Sequence, residues 1–407
     1  MKGNTSSLAF TSLAHFANDG SALFYPILIT YYVQLPGMTI PYLGVMAILF
    51  NLVSGALSTP IGKHADRTGS YGLLISLGIL LLGFSAIILS LPFVLHGYII
   101  PFIVFGAVIL GCGQAFYHPL GAAILTNTFS RDATPRVMGI NGSFGSLGRA
   151  IMPTVLVVTL TIFGDFHGLI IYSIYSFISS AVIFAGLRGV IHRHSGMVPK
   201  TEPENNNANS ASRTLMPYIY LLTGAVFVRS LFLVGTTTFM PAFLDGQFGS
   251  KAIMTTIISL AFILPIFGQP LFGLLTSKKG GKFTVVLTFI SSTIFFGLFL
   301  VFSRQLYTTV LFFSLYSLVA YSGFPVFLGY VGQIVPGDIS GKANGIVWGV
   351  GQTVGGAVGA AIITTFTLFF TVSVSIELMF VFAAISIIFL PFLPSRSKLE
   401  QKILHAS

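Results

Sequence analysis

The sequence predicts an all-α integral membrane protein of twelve transmembrane helices, arranged as two parallel six-helix repeats. Three observations carry that expectation. Only 7% of the 407 residues are charged and 54% are hydrophobic, against about 25% charged residues in a soluble domain. The apolar residues are gathered into stretches long enough to cross a bilayer core, which takes about 20 residues of helix. Landmark residues in the first half also recur in the second at a nearly constant offset. The mean hydropathy of +0.91 agrees with a surface facing lipid.

Taken in order, the twelve expected helices are 8–33, 41–62, 71–91, 97–126, 134–163, 168–190, 215–244, 252–277, 283–302, 307–334, 341–370 and 373–393. The first is no signal peptide. Its apolar run is too long, is interrupted by His15, Asn18 and Asp19, and lacks a small-residue cleavage site. Connections are short except for 192–213, a polar Asn/Ser-rich stretch without periodicity that reads as a flexible linker. It separates an N-terminal bundle, 1–191, from a C-terminal bundle, 214–407.

The repeat is visible in four places. The run from Gly62 after helix 2 is similar to the run from Gly273 after helix 8. Gly20 and Pro26 in helix 1 match Gly235 and Pro241 in helix 7. Pro119 matches Pro325, and Arg136 with Gly139 matches Lys342 with Gly345. All these offsets lie between 206 and 215. Parallel repeats of this kind place a substrate site near the midplane between the halves.

Charge distribution sets the expected orientation. With the N-terminus inside, sixteen of the twenty Lys and Arg residues fall in cytoplasmic segments, and the outer loops hold only Lys251 and Arg304. Positive residues collect on the cytoplasmic side, so both termini are expected there, in a multi-pass plasma-membrane protein. The same asymmetry explains the formal charge of +10 without nucleic acid. The single cysteine, Cys112, permits neither a disulfide nor a cysteine metal site. Small-molecule substrate, protons and lipid are the expected partners of a monomeric carrier with no cofactor.

Gly62-Lys63-His64-Ala65-Asp66-Arg67-Thr68-Gly69 resembles the loop 2–3 signature of the major facilitator superfamily, G-x-x-x-D-R-x-G. Its glycines suit a tight turn, and Asp66 can pair with a basic residue or a helix N-terminus, here expected at Gly341 and Lys342. Gly62, Asp66, Arg67 and Gly69 are therefore the expected gating residues; the plainer alternative is a basic turn that only fixes topology. Ser70-Tyr71 stands where the family carries basic residues, and Ser277 replaces the Asp in the second copy. Three further segments resemble the fosmidomycin-resistance branch: His15-Phe16-Ala17-Asn18-Asp19-Gly20, Phe116-Tyr117-His118-Pro119-Leu120-Gly121-Ala122-Ala123, and Arg229-Ser230 with Thr238-Phe239-Met240-Pro241. The resemblance implies helices 1, 4, 7 and 10 around a central cavity and efflux of a small drug-like molecule against protons. Departing from drug antiporters, helix 4 has no basic residue between Pro101 and Tyr117, and Arg149 follows the helix 5 glycines Gly142, Gly145 and Gly148.

Ionisable residues inside a bilayer default to a functional or paired role. Asp19, Arg149 and Arg229 each lie about half-way along a helix, and His15 is one turn from Asp19 on the same face. Asp19, His15 and His118 are the expected proton-coupling groups. Arg149, Arg229, Asn18, Gln114 and Tyr25 are the expected substrate contacts. One acid against two arginines leaves the cavity positive, which favours an anion, so an organic-anion/proton symporter or anion exchanger is the alternative to efflux. The alternative spends Arg149 on Asp19 and caps Arg229 with helix carbonyls and Ser230, leaving a neutral cavity. The aromatic residues, Trp348 included, carry no assigned role. An integral membrane enzyme could use His15 and Asp19 as a dyad, but no second embedded carboxylate or thiol completes such a site. A channel is disfavoured because no filter motif is present.

Overall fold

A computed structural model describes residues 2–130, 133–188, 206–335 and 343–395, and every regular element among them is helical. The expected linker residues 192–205, the expected gating partners Gly341 and Lys342, and the C-terminal residues 396–407 lie outside the described residues. Eleven helical segments are long and apolar enough to cross a membrane, from Ile40–Thr68 to Val372–Phe392. Each overlaps one of the expected helices 2 to 12.

The first expected helix is two. α1 (Lys2–Gly20) and α2 (Phe24–Tyr32) are separated by a turn at Ser21–Leu23. α3 (Ile40–Thr68) and α4 (Tyr71–Ser90) follow. The fourth expected helix is likewise broken, into α5 (Ile99–Gln114) and α6 (Tyr117–Thr128). α7 (Thr134–Phe163) and α8 (Asp165–Leu187) complete the N-terminal half. α9 (Asn206–Phe248) begins inside the segment expected as linker, so residues 206–213 are helical. α10 (Lys251–Lys279) and α11 (Gly281–Phe302) come next, and the tenth expected helix divides into α12 (Leu306–Ala320) and α13 (Gly323–Ile334). The eleventh is π-helical over Val347–Val354 before α14 (Gly355–Phe366). α15 (Val372–Ile387) is last.

The breaks have a shared physical logic. A helix interrupted inside a membrane frees carbonyls that no water can satisfy, so side chains must do it. Asn18 O accepts from the Ser21 amide and hydroxyl and from Gln114 Nε2 at 3.2 Å. Ala320 O accepts from Arg229 Nη2 at 2.8 Å, and Tyr321 O accepts from Gln269 Nε2 at 2.8 Å. Polar residues that looked available for substrate are thus partly committed to holding the breaks.

Small residues set the helix spacing. A Cβ at Gly148 would lie 2.2 Å from Phe16 O, and one at Gly359 would lie 2.1 Å from Leu231 O. α1 therefore packs on α7 at backbone contact, and α9 packs on α14 the same way. Between the halves, α7 runs along α10, with Thr154 and Ser259 hydroxyls 2.7 Å apart and Ser143 donating to Ile266 O at 2.7 Å. At the end of the bundle carrying α2, Lys251 sits 4.8 Å above the Tyr31 ring and 3.2 Å from Asp245. There α3 also touches the C-terminal half, a Cβ at Gly44 falling 2.5 Å from Thr364 Oγ1.

The signature segment departs from its expected place. Gly62 to Thr68 form the last turns of α3, not a loop. The turn itself is Gly69 and Ser70, and Gly69 closes the helix with φ 67°, donating to Ala65 O. Such a left-handed C-cap favours glycine.

Candidate functional site

Asp19 ends α1 one residue before the first break, and it is almost fully buried. Four nitrogens lie within 3.4 Å of its carboxylate, three at ion-pair distance and one, from Asn18, as a hydrogen bond. Arg149 Nη2 from α7 lies 2.6 Å from Oδ2, and His15 Nε2 from the preceding turn of α1 lies 3.0 Å from the same oxygen. His118 Nε2 from α6 is 3.4 Å from Oδ1, and Asn18 Nδ2 donates to Oδ1 at 3.1 Å. Exposure rises outward from 2% at Asp19 to 36% at the His118 side chain, so His118 is the opening of this cluster toward the cavity.

Behind His15 lies a second layer. Its Nδ1 is 2.8 Å from Asn141 Oδ1, which also accepts from the Tyr117 hydroxyl at 2.8 Å. The His15 and Tyr117 rings stack at 4.6 Å, and His118 meets His15 edge-on at 5.6 Å. Room for the imidazole comes from Gly145, where a Cβ would lie 2.4 Å from His15 Nε2 and 2.7 Å from Asp19 Oδ2. The helix 5 glycines thus serve distinct partners: Gly145 admits His15, Gly148 admits the α1 backbone, and Gly142 faces Gln269 of α10.

The cluster forms one wall of a cavity of about 290 Å³ between the halves. The opposite wall holds Arg229, Gln269, Tyr321, Trp348 and Gln352. Arg149 reaches across, its guanidinium 5.8 Å from the Tyr321 ring centre, and the Tyr321 hydroxyl is 2.5 Å from Thr237 Oγ1. Arg229 is 1% exposed and lies 5.2 Å from the Phe289 ring and 5.6 Å from the Phe327 ring. Its hydrogen bond to Ala320 O satisfies one donor, while Nε has no hydrogen-bond partner among the described residues. No carboxylate there lies within ion-pair distance of it.

The structure brings most of the sequence candidates together and redistributes their roles. Asp19, His15, His118, Gln114, Arg149 and Arg229 all line the cavity. Tyr25 does not: it is fully buried, its hydroxyl donates to Leu43 O at 3.1 Å, and it holds α2 to α3. Asn18 lies behind Asp19 and not on the cavity wall. The two arginines expected to act as one clamp differ in kind, since Arg149 is neutralised by Asp19 and Arg229 is not. Ser230 does not cap Arg229; its hydroxyl donates to Gln352 Oε1 at 3.0 Å. Asn141, Tyr117, Gln269 and Tyr321 were missed by sequence reasoning. Asn141 was legible, because 141, 145 and 149 share one helical face, so an amide two turns before Arg149 points the same way.

Of the signature residues, Asp66 is exposed and accepts a 2.6 Å hydrogen bond from the Tyr71 hydroxyl. The residue that departs from the family pattern is therefore the one that holds the aspartate. Gly62 lies against Pro119, its Cβ position 3.8 Å from that ring, and Gly273 lies against Pro325 at 3.6 Å.

Ligand atoms of His15, Asp19 and His118 fall within 4.8 Å of one another, a spacing that could suit a metal ion. The guanidinium on Asp19 Oδ2 disfavours one there, because a fixed positive charge beside the carboxylate repels a divalent cation.

A profile of the Major Facilitator Superfamily matches residues 8–360, and a second match covers residues 222–405. The search of curated proteins found no match.

Proposed function

The chain belongs to the major facilitator superfamily, and from that premise we propose that it carries a small organic anion across the plasma membrane together with a proton. The observation behind this is Arg229. A buried charge without a counter-ion costs several kcal/mol, and arginine cannot escape by losing its proton. Arg229 lines the cavity and has no acid beside it among the described residues, so a substrate carboxylate, phosphate or phosphonate reaching its guanidinium would supply the missing charge.

Electrostatics ties that anion to the proton. Protonating the His15–Asp19–His118 cluster makes the cavity more positive and so favours anion binding. By linkage, a bound anion favours protonation by the same factor. Two ligands that assist each other's binding travel together, which is symport. Antiport would need them to compete. The site residues of the sequence reading take these roles: the cluster for coupling, Arg229 for the anion, Arg149 as the partner of Asp19, and Gln114 as support for the α1 break.

The architecture that goes with this reading is twelve helices in two repeats, 1–191 and 214–407, joined by a cytoplasmic linker, with both termini cytoplasmic. The matching close approaches of Gly148 to Phe16 and Gly359 to Leu231 support it, as do Gly62 on Pro119 and Gly273 on Pro325. The Gly62–Gly69 segment, with Asp66 and Arg67, would control opening on that side.

A second reading is proton-driven efflux of a small drug-like molecule, which is what the fosmidomycin-resistance resemblance implies, with uncharged cargo where Arg229 is only structural. It is favoured by the seat of Arg229 between two phenyl rings with a carbonyl on Nη2, which would make that arginine structural. A thermal-shift panel of phosphonates, carboxylates and cationic drugs at several pH values, followed by counterflow in proteoliposomes, separates the two. Under the anion reading, Arg229→Gln loses most binding of the stabilising anion and Arg229→Lys only part. Unchanged binding in both variants, or stabilisation by cations alone, refutes it.

A further inference from the structure

Resting on the proton-coupled reading, we propose that His15 carries the exchangeable proton, and that Asn141 and Tyr117 are the positioning residues that make it do so. Asp19 is then a fixed counter-ion and not the carrier.

The argument starts at Asn141, which is 5% exposed. Its Oδ1 faces both His15 Nδ1 and the Tyr117 hydroxyl at 2.8 Å, and its Nδ2 donates to Ser12 Oγ at 3.4 Å. Amide orientation is decided by the surrounding network. Were the amide reversed, the NH2 group would face the Tyr117 hydroxyl, and the phenolic proton would lose its acceptor in a site where Tyr117 is 3% exposed. A buried unsatisfied donor costs about 1–3 kcal/mol. Tyr117 therefore fixes Oδ1 toward His15, and Oδ1 can only accept. His15 Nδ1 must carry a hydrogen.

The other ring nitrogen then decides the charge. Nε2 lies 3.0 Å from Asp19 Oδ2, an oxygen that Arg149 Nη2 also approaches to 2.6 Å. Asn18 donates to Oδ1. A bare Nε2 lone pair near that oxygen is repulsive, whereas an Nε2–H is attracted to it. With Nδ1–H fixed by Asn141, Nε2 is the nitrogen at which a proton can come and go. On release, the Nε2 proton passes to cavity water or to His118 Nε2, and Nδ1–H stays with Asn141. Among the described residues the charged and titratable groups facing His15 are Asp19 on its own helix, Arg149 from α7, and Tyr117 and His118 from α6. The tautomer that Asn141 imposes decides which ring nitrogen is turned toward Asp19 and Arg149.

The test is 15N NMR of histidine-labelled protein in nanodiscs across a pH titration, with the His15 signals assigned by their loss in His15→Gln. In the wild type Nδ1 should stay protonated throughout and only Nε2 should titrate. Asn141→Asp places a carboxylate on Nδ1 and should raise the proton affinity of His15 by about tenfold or more. Tyr117→Phe frees the amide to reverse and should lower it, with the neutral form moving toward Nε2–H. Opposite shifts from two variants at one site are not what a merely structural role produces. A neutral wild-type His15 protonated on Nε2, or identical titrations in wild type and Asn141→Asp, would overturn the assignment. Should a variant fail to fold, the wild-type tautomer still decides. Failure here leaves proton-driven accumulation in proteoliposomes intact, whereas loss of that accumulation would sink the coupled reading itself.

Discussion

Replacing Gly145 by alanine should break the cluster without removing any of its polar groups. The added methyl would lie 2.4 Å from His15 Nε2, 2.6 Å from its Cδ2 and 2.7 Å from Asp19 Oδ2, whereas ordinary contact begins at 3.4 Å. The imidazole must therefore retreat by about 1 Å. It has little room, because Asn141 holds Nδ1 at 2.8 Å and Tyr117 stacks on the ring at 4.6 Å. Either the 3.0 Å contact to Asp19 or the bond to Asn141 stretches beyond hydrogen-bond range. Losing one charge-assisted bond costs about 1.5–3 kcal/mol, and overpacking of a tight interface costs about 1–3 kcal/mol. The two overlap, since movement relieves one at the expense of the other, so a loss of about 2–4 kcal/mol is expected. Gly332→Ala is the control, because nothing lies within 4 Å of a Cβ there, and a helical glycine replaced by alanine gains up to about 1 kcal/mol. Thermal unfolding in detergent should give a clearly lower midpoint for Gly145→Ala and an equal or higher one for Gly332→Ala. The His15 resonances should also move in the first and not the second. Equal midpoints and unmoved resonances would refute the steric argument.

Two further outcomes are expected. Arg149→Gln should destabilise the fold by about 3–5 kcal/mol by stranding a buried carboxylate, and adding Asp19→Asn should recover much of that; a double-mutant cycle on unfolding in mild detergent measures it, and additive losses would dissolve the pair. Tyr71→Phe should leave folding unchanged within about 0.5 kcal/mol, since the site is at the surface, yet free Asp66; cysteine accessibility of the cavity in the two variants, Tyr71→Phe and Asp66→Asn, should shift alike if that hydrogen bond bears on opening.

Much of the site was legible because a bilayer makes polar residues conspicuous. Asp19, Arg149 and Arg229 stand out in apolar runs, and all three line the cavity. Tyr25 misled because a tyrosine beside a polar segment reads the same whether its hydroxyl meets substrate or, as here, Leu43 O. Asn141 and Tyr117 were passed over because neither is ionisable, although together they orient the histidine that is. The breaks at Ser21–Leu23, Ala115–Phe116 and Tyr321–Ser322 each precede a proline in the first turn of the next helix, Pro26, Pro119 and Pro325, which cannot donate to the carbonyl four residues back. They persist because side chains from other helices, Gln114, Arg229 and Gln269, satisfy the freed carbonyls or stand beside them.

Composition and hydrophobic run length by themselves determined that this chain is a bundle of membrane-crossing helices, because a backbone in hydrocarbon must satisfy its own hydrogen bonds and the helix does so locally. The family followed from the short glycine-bounded signature, whose turn chemistry is also local. What only the tertiary structure decided is which buried charge is spent and which is free. Arg149 and Arg229 are alike in sequence, each one arginine near the middle of a long apolar helix. Asp19 lies 2.6 Å from the first, and among the described residues no acid reaches the second. That difference arises from how α1, α7 and α9 are packed, and electrostatic energy depends on separation in space, which sequence distance does not supply.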